Sequence, residues 1–195
     1  MVASVSCLKY IYTLLTLGTL IPLMLKSAEP IHSMQTLRHF ETDSPSWKAQ
    51  NDGVMGGVSS GGAEIHSGHL HFSGVLSLEN NGGFAQIYSN TEKSDFSDYL
   101  AVKISVFGDG RTYQFRMATE ARFRNSRIAY RSSFQTTAGE WTEVTIPFQS
   151  FIPSHHGRIL SGPELDLSSV REIAFLLGDG NPGAFSLIVD WIGLE

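Results

Sequence analysis

Asn51-Asp52-Gly53, followed two residues later by Gly56-Gly57, is the most distinctive run of chemistry-bearing residues in the chain. Asn and Asp side chains fold back onto nearby backbone N–H groups, and Gly tolerates positive φ, so the run is a tight loop. Two arrangements are open. The loop amides and the Asp52 carboxylate face a ligand, or the loop packs under a sheet with Met55 plugging the core. It is no phosphate loop, because a GxxxxGK[ST] pattern and a following helix are both missing. Asn80-Asn81-Gly82-Gly83 poses the same choice, and its Asn-Gly step by itself favours a type I′ hairpin turn. If both loops lie at one end of the fold, they form a single binding rim.

Glu64, His66, His69 and His71 are the metal-like cluster. A hairpin turning at Ser67-Gly68 puts His66 opposite His69 and Glu64 opposite His71, with all four on one face. Three imidazoles and a carboxylate suit zinc, but a solvated sheet face is the preferred reading, since Ile65, Leu70 and Phe72 occupy the other side and a one-residue register slip would destroy zinc geometry. Arg116, Arg122, Arg124, Arg127 and Arg131 gather around the run Arg124–Arg127, which reads as a hairpin tip. A basic tip suits an acidic partner or lipid head groups, or is simply solvated. Arg158, in a loop after His155-His156-Gly157, could hold a carboxylate from a ligand or a neighbouring strand. Trp47 lies beside the Asn51 loop and is the candidate exposed ring for stacking on a sugar, whereas Trp141 and Trp191 sit in strand contexts and read as core. No GxSxG elbow occurs, and no motif fixes a pair of carboxylates, so no catalytic residue is expected. The expected ligand- or partner-binding set is Trp47, Asn51, Asp52, Gly53, Met55, Gly56, Gly57, Asn81, Gly82, Gly83, Arg116 and Arg158. No metal and no cofactor are expected.

These residues sit among short runs of period-two hydrophobicity. Ala63–His66 and His69–Ser73 form the hairpin; Gly74–Leu78, Phe84–Ser89, Leu100–Phe107, Thr112–Ala118, Ala129–Gln135, Glu140–Phe148, Val170–Leu177 and Phe185–Ile192 follow. Turn clusters separate them, and helical turns are predicted only near 94–99 and 166–170. Eight or nine strands at this spacing imply a β-sandwich or barrel, and a jelly roll is the preferred form. The run Phe185–Ile192 is largely apolar on both faces, which predicts a central strand.

Hydrophobic residues make up 42% of the chain and charged residues 17%, enough for a real core. Residues 1–28 hold Lys9 and Lys26 and no acid, leaving 12 basic and 19 acidic residues in the remainder, a formal charge of −7. Such a domain repels phosphate backbones, so nucleic acid is not an expected partner. Cys7 is the single cysteine, which excludes a disulfide framework. Tyr10 to Leu25 is uncharged and shorter than the ~20 residues of a membrane span. It reads as the apolar region of a signal peptide or as an N-terminal anchor, although no good cleavage site follows. The absence of arginine argues against a mitochondrial transit peptide. The expected organisation is a leader or anchor over 1–28, a linker or edge strand over 29–39, and one domain over 40–195.

Several stretches in order carry a family resemblance: Asn51 to Ser59 (NDGVMGGVS), Phe72-Ser73-Gly74, Leu76 to Phe84 (LSLENNGGF), Gly108 to Tyr113 (GDGRTY), Gly139-Glu140-Trp141 with Ile146-Pro147-Phe148, Gly178-Asp179, and Pro182 to Phe185 running into Asp190-Trp191-Ile192. Over nearly all of 40–195 the chain resembles the complex I intermediate-associated protein family. The resemblance implies a galactose-binding-like jelly roll preceded here by an N-terminal hydrophobic segment. In mitochondria, members of that family act as assembly chaperones for NADH:ubiquinone oxidoreductase, and no catalytic residue set carries over. The expectation is a non-catalytic, chaperone-like assembly module, exported or membrane-anchored with its domain outside the cytoplasm, or else on the cytoplasmic side of a membrane. Its partner is expected to be a protein, with a membrane complex as the candidate; residues 10–25 would touch the membrane if uncleaved. A carbohydrate-binding module is the alternative, and a small-ligand enzyme a more distant one.

Overall fold

The computed structural model describes residues 34–41 and 46–195. The predicted leader over 1–28 lies outside these residues. Among the described residues the strands are β1 (Gln35–His39), β2 (Lys48–Ala49), β3 (Ser60–His66), β4 (His69–Leu76), β5 (Ala85–Ser94), β6 (Ala101–Phe107), β7 (Thr112–Phe123), β8 (Ser126–Gln135), β9 (Trp141–Pro147), β10 (Ile152–His155), β11 (Arg158–Ile159), β12 (Val170–Leu177) and β13 (Gly183–Leu194). A six-stranded sheet runs β3-β4-β13-β6-β9, with β1 also paired to β13. A seven-stranded sheet runs β11-β10-β8-β7-β12-β5-β2. All pairings between these strands are antiparallel. The fold is the predicted jelly-roll sandwich.

The β3–β4 hairpin follows the sequence: Ser67 (φ 51°) and Gly68 (φ 78°) make a two-residue turn with both residues left-handed. Glu64 is then opposite His71 and His66 opposite His69. Arg124 and Asn125 turn β7 into β8 in the same way. Alternation sends Phe72, Ile104, Val106 and Leu187 inward from one sheet, and Tyr113, Phe115, Met117, Ile173 and Phe175 inward from the other, all buried. Phe72 meets Tyr113 across the sheets at 6.2 Å between ring centroids. Burying each such side chain stabilises the fold by about 1.5–3 kcal/mol.

β13 is central, between β4 and β6, as its two apolar faces predict. A register shift between Val189 and Trp191 changes which face its residues address. Phe185, Leu187 and Val189 point inward before it, and Ile192 and Leu194 after it. The bulge leaves Trp191 half-buried instead of in the core. Asn80-Asn81-Gly82-Gly83 is not the hairpin turn that Asn-Gly suggested. It carries the chain from β4 in one sheet to β5 in the other, and Asn80 and Asn81 both have positive φ (54° and 58°).

Candidate functional site

The two Gly-rich loops meet through one side chain. Asp52 is fully buried at the start of a short 3-10 turn, Asp52–Met55. Its carboxylate accepts the backbone N–H of Ser59 (2.9 Å) and the Ser59 hydroxyl (2.5 Å). It also accepts the N–H groups of Gly83 (2.7 Å) and Phe84 (3.3 Å) from the second loop. Burial pushes the Asp52 carboxyl up, but the hydrogen bonds from Ser59, Gly83 and Phe84 outweigh it and hold the group below its ordinary value. Asn51 reaches the carbonyl of Gly61 at 3.0 Å.

The glycines of this motif follow from that carboxylate. A Cβ on Gly57 would stand 2.4 Å from Asp52 Cγ, and one on Gly82 would stand 2.5 Å from Asp52 Oδ2. Both positions therefore need glycine for room. Gly56 (φ 93°) and Gly83 (φ 136°) need it for backbone conformation. Gly53 has neither constraint.

The loops do share one end, and the Asp52 carboxylate that joins them is turned into the fold rather than toward a ligand. Outward they present apolar side chains among polar ones: Val54 is 67% exposed and Met55 56%, Val58 follows them, and Leu78 is exposed beside the exposed Glu79, Asn80 and Asn81 of the second loop. Met55 therefore does not plug the core. Trp47 moves the other way. Its ring stacks on Phe175 at 5.9 Å and packs against the core near Phe40, and its indole nitrogen is buried. Trp141 is the exposed ring, 48% accessible on the outer face of the six-stranded sheet, against His69 (5.4 Å) and Phe107 (5.6 Å). Strand context could not tell an outward ring from an inward one at these positions.

The remaining expected residues are dispersed. Arg116 lies in β7, within the seven-stranded sheet, and donates to Gln86 Oε1 at 2.8 Å. Arg158 is exposed in β11 at one edge of that sheet, while Trp47 precedes β2 at the other edge. The histidine cluster has the predicted register, yet the His69 imidazole lies 3.6 Å from Asp190, and His66 packs edge-on to His71. Among the described residues no group of three or more His, Cys, Asp or Glu is placed to hold a metal ion.

Sequence reading did not single out a second polar knot. Arg111 clamps Asp179 through two bonds, 3.0 Å to Oδ2 and 2.7 Å to Oδ1. It also donates to the carbonyls of Asn181 and Ala184. Asp109 accepts the Tyr113 hydroxyl (2.9 Å) and the Ser186 N–H (2.8 Å). A shallow depression of about 710 Å³ beside them is lined by Arg111, Gln135, Asn181 and Pro182 among others. The available signal was the recurrence of Gly-Asp in two distant turns, one of them followed directly by arginine.

The model of one protein family, complex I intermediate-associated protein 30, matches residues 36–189. The chain belongs to this family. Complex I intermediate-associated protein 30, mitochondrial, of Mus musculus is 35% identical over 104 residues, which is 51% of this chain and 31% of the relative. The protein of the same name in Drosophila melanogaster is 31% identical over 106 residues, 52% of this chain and 36% of the relative. The chain thus spans about a third of the length of the curated relatives it matches. Among solved structures, the family 11 carbohydrate-binding module of a cellulosomal cellulase of Clostridium thermocellum superposes with a TM-score of 0.65 at 19% identity. That match covers 83% of this chain and 94% of the module and shows a shared fold.

These family relatives are named as mitochondrial, which overturns the expected exported or membrane-anchored placement and its cytoplasmic-side alternative. Among the described residues no helix is long and apolar enough to cross a membrane. Hydropathy reports that the run 10–25 is apolar without reporting which membrane it would address, so it could not carry the placement.

Proposed function

We propose that this chain is a non-catalytic protein-binding module that acts in the assembly of a membrane complex of the NADH:ubiquinone oxidoreductase type. The observation that carries the reading is the rim at the Asp52 end. Its buried Asp52 carboxylate is satisfied inside the fold by groups from both loops, and the same two loops hold out Val54, Met55, Val58 and Leu78. Exposed apolar side chains on a braced loop suit protein docking, because the surface is presented with little conformational entropy left to lose. Membership of a family whose curated relatives are named for association with complex I intermediates supports a protein partner.

Chemical crosslinking of the tagged full-length chain in its native cells, followed by mass spectrometry, tests the reading. The expected result is recovery of subunits of one respiratory membrane complex, lost in a Val54→Asp/Met55→Asp variant whose melting temperature is unchanged. Recovery of no such subunits, or capture indifferent to the rim substitutions, would overturn it.

A further inference from the structure

The open face of the seven-stranded sheet carries charges that composition does not lead one to expect. Register places Ile152 opposite Arg131, Arg131 opposite Arg116, Arg116 opposite Ala174, Ala174 opposite Tyr88, and Tyr88 opposite Lys48. Residues directly opposed in adjacent strands share a face. The neighbours Phe115, Met117, Ile173 and Phe175 are buried between the sheets, so this row faces away from the core. Three cations and no carboxylate occupy it, on a domain with an acidic excess.

Arg116 and Arg131 are directly opposed like charges, an arrangement that costs stability when nothing compensates it. The hydrogen-bond partners of Arg116 are neutral, Gln86 Oε1 and, at 3.4 Å, Ser154 Oγ. The Nε–H groups of both arginines are buried without an acceptor. Glu172 lies near, opposite Ala118, two residues along β7 from Arg116, but it faces Arg127 at 4.0 Å. Burial and the Arg131 charge press the Arg116 guanidinium down to about 10 against a smaller opposing pull from Glu172, so it remains a cation at neutral pH. The floor around the pair is recessed: Gln86, Ala174, Leu176 and Ser154 are all nearly inaccessible.

We propose that this face is a recognition site for carboxylate side chains of an extended polypeptide segment, with Arg116 and Arg131 as the paired guanidinium grip. The proposal rests on the protein-binding reading and names the chemistry of a second contact, apart from the apolar rim. Carboxylates take two parallel N–H bonds from a guanidinium and relieve the Arg–Arg repulsion, which a neutral sugar does not.

The probe is a fluorescent peptide of alternating glutamate and alanine, with its glutamine counterpart as control, titrated against the full chain by anisotropy at low and at physiological salt. The glutamate peptide binds and the glutamine peptide does not. Arg116→Gln and Arg131→Gln each weaken binding by about tenfold. Arg116→Lys keeps the charge but loses the fork and restores only part of the affinity. Lys103→Gln, on the other sheet, changes nothing. Removing one of two opposed cations leaves the melting temperature unchanged or higher, and if one variant unfolds the other carries the test. Equal binding of both peptides, no binding at all, unchanged affinity in the arginine variants, or binding confined to a polyuronate would each overturn the proposal. In the crosslinking experiment, capture that survives in the arginine variants but not in the rim variant leaves the protein-binding reading standing and removes this one. Capture of no complex by the unaltered chain removes the former.

Discussion

The Asp52 carboxylate holds the Gly83 backbone N–H at 2.7 Å across 31 residues of sequence. That bond ties the loop before β3 to the crossover between the sheets. It makes a carboxylate that looks poised for a ligand into the brace of the rim.

Asp52→Ala strands the amides of Ser59, Gly83 and Phe84, while the Ser59 hydroxyl keeps the Ser77 carbonyl as acceptor. The expected loss is about 3 kcal/mol, read as a lower denaturant midpoint at an unchanged slope. A loss under about 0.5 kcal/mol would mean that the brace contributes nothing.

The same group sets an acid response. Its folded pKa lies below the ordinary 3.8, so its contribution is full above that value and declines as pH falls through it toward the folded pKa. Asp179 is lowered as well, burial being outweighed by Arg111 and by Asn181. Stability measured from pH 6 to about 2 should fall steeply below about 4, and the fall should be shallower in Asp52→Asn, whose side chain does not titrate there.

Glycine substitutions separate room from conformation. Gly57→Ala and Gly82→Ala should each cost about 2 kcal/mol or more, since the added methyl meets a buried carboxylate. Gly53→Ala should stay within about 0.5 kcal/mol, because nothing lies near its Cβ. Thermal melts of the three variants decide it, and equal losses at all three would remove the packing explanation.

The tryptophans should exchange the roles that sequence suggested. Trp47→Ala should destabilise by about 3 kcal/mol, as core truncations do, and Trp141→Ala by less than about 1 kcal/mol. Denaturant titration of both variants reads the difference directly.

Arg111→Ala should cost about 3 kcal/mol by leaving Asp179 uncompensated, with Arg111→Lys recovering little because an ammonium cannot reproduce the fork. Full recovery in the lysine variant would show that charge alone suffices there.

Much of the sandwich was legible because period-two hydrophobicity reports strands and their faces. The β3–β4 register was readable down to His66 opposite His69, since Ser67-Gly68 specifies a turn geometry. The bulge at Val189/Trp191 was not, because with Leu187, Ile188, Val189, Trp191 and Ile192 apolar on both faces one slipped residue breaks no clear alternation. The candidate site was legible in its residue types and illegible in its direction. Asp52 and Met55 are three residues apart in a loop without periodicity. Only bonds to Ser59 and Gly83, distant in sequence, decide that the polar one goes in and the apolar one stays out. Arg116 and Arg131 were visible as part of an arginine-rich stretch, yet their apposition depends on β7 pairing with β8 in one register.

Placing Gly183–Leu194 between β4 and β6 also bears on synthesis. Strands β1, β4 and β6 all leave the ribosome before the strand that joins them. Until then the nascent chain carries unpaired edges at β4 and β6, with Leu70, Phe72 and Val106 uncovered. Closure of the sheet is therefore a late, long-range event, and during the delay the growing chain is itself the kind of half-built object that needs shielding from aggregation.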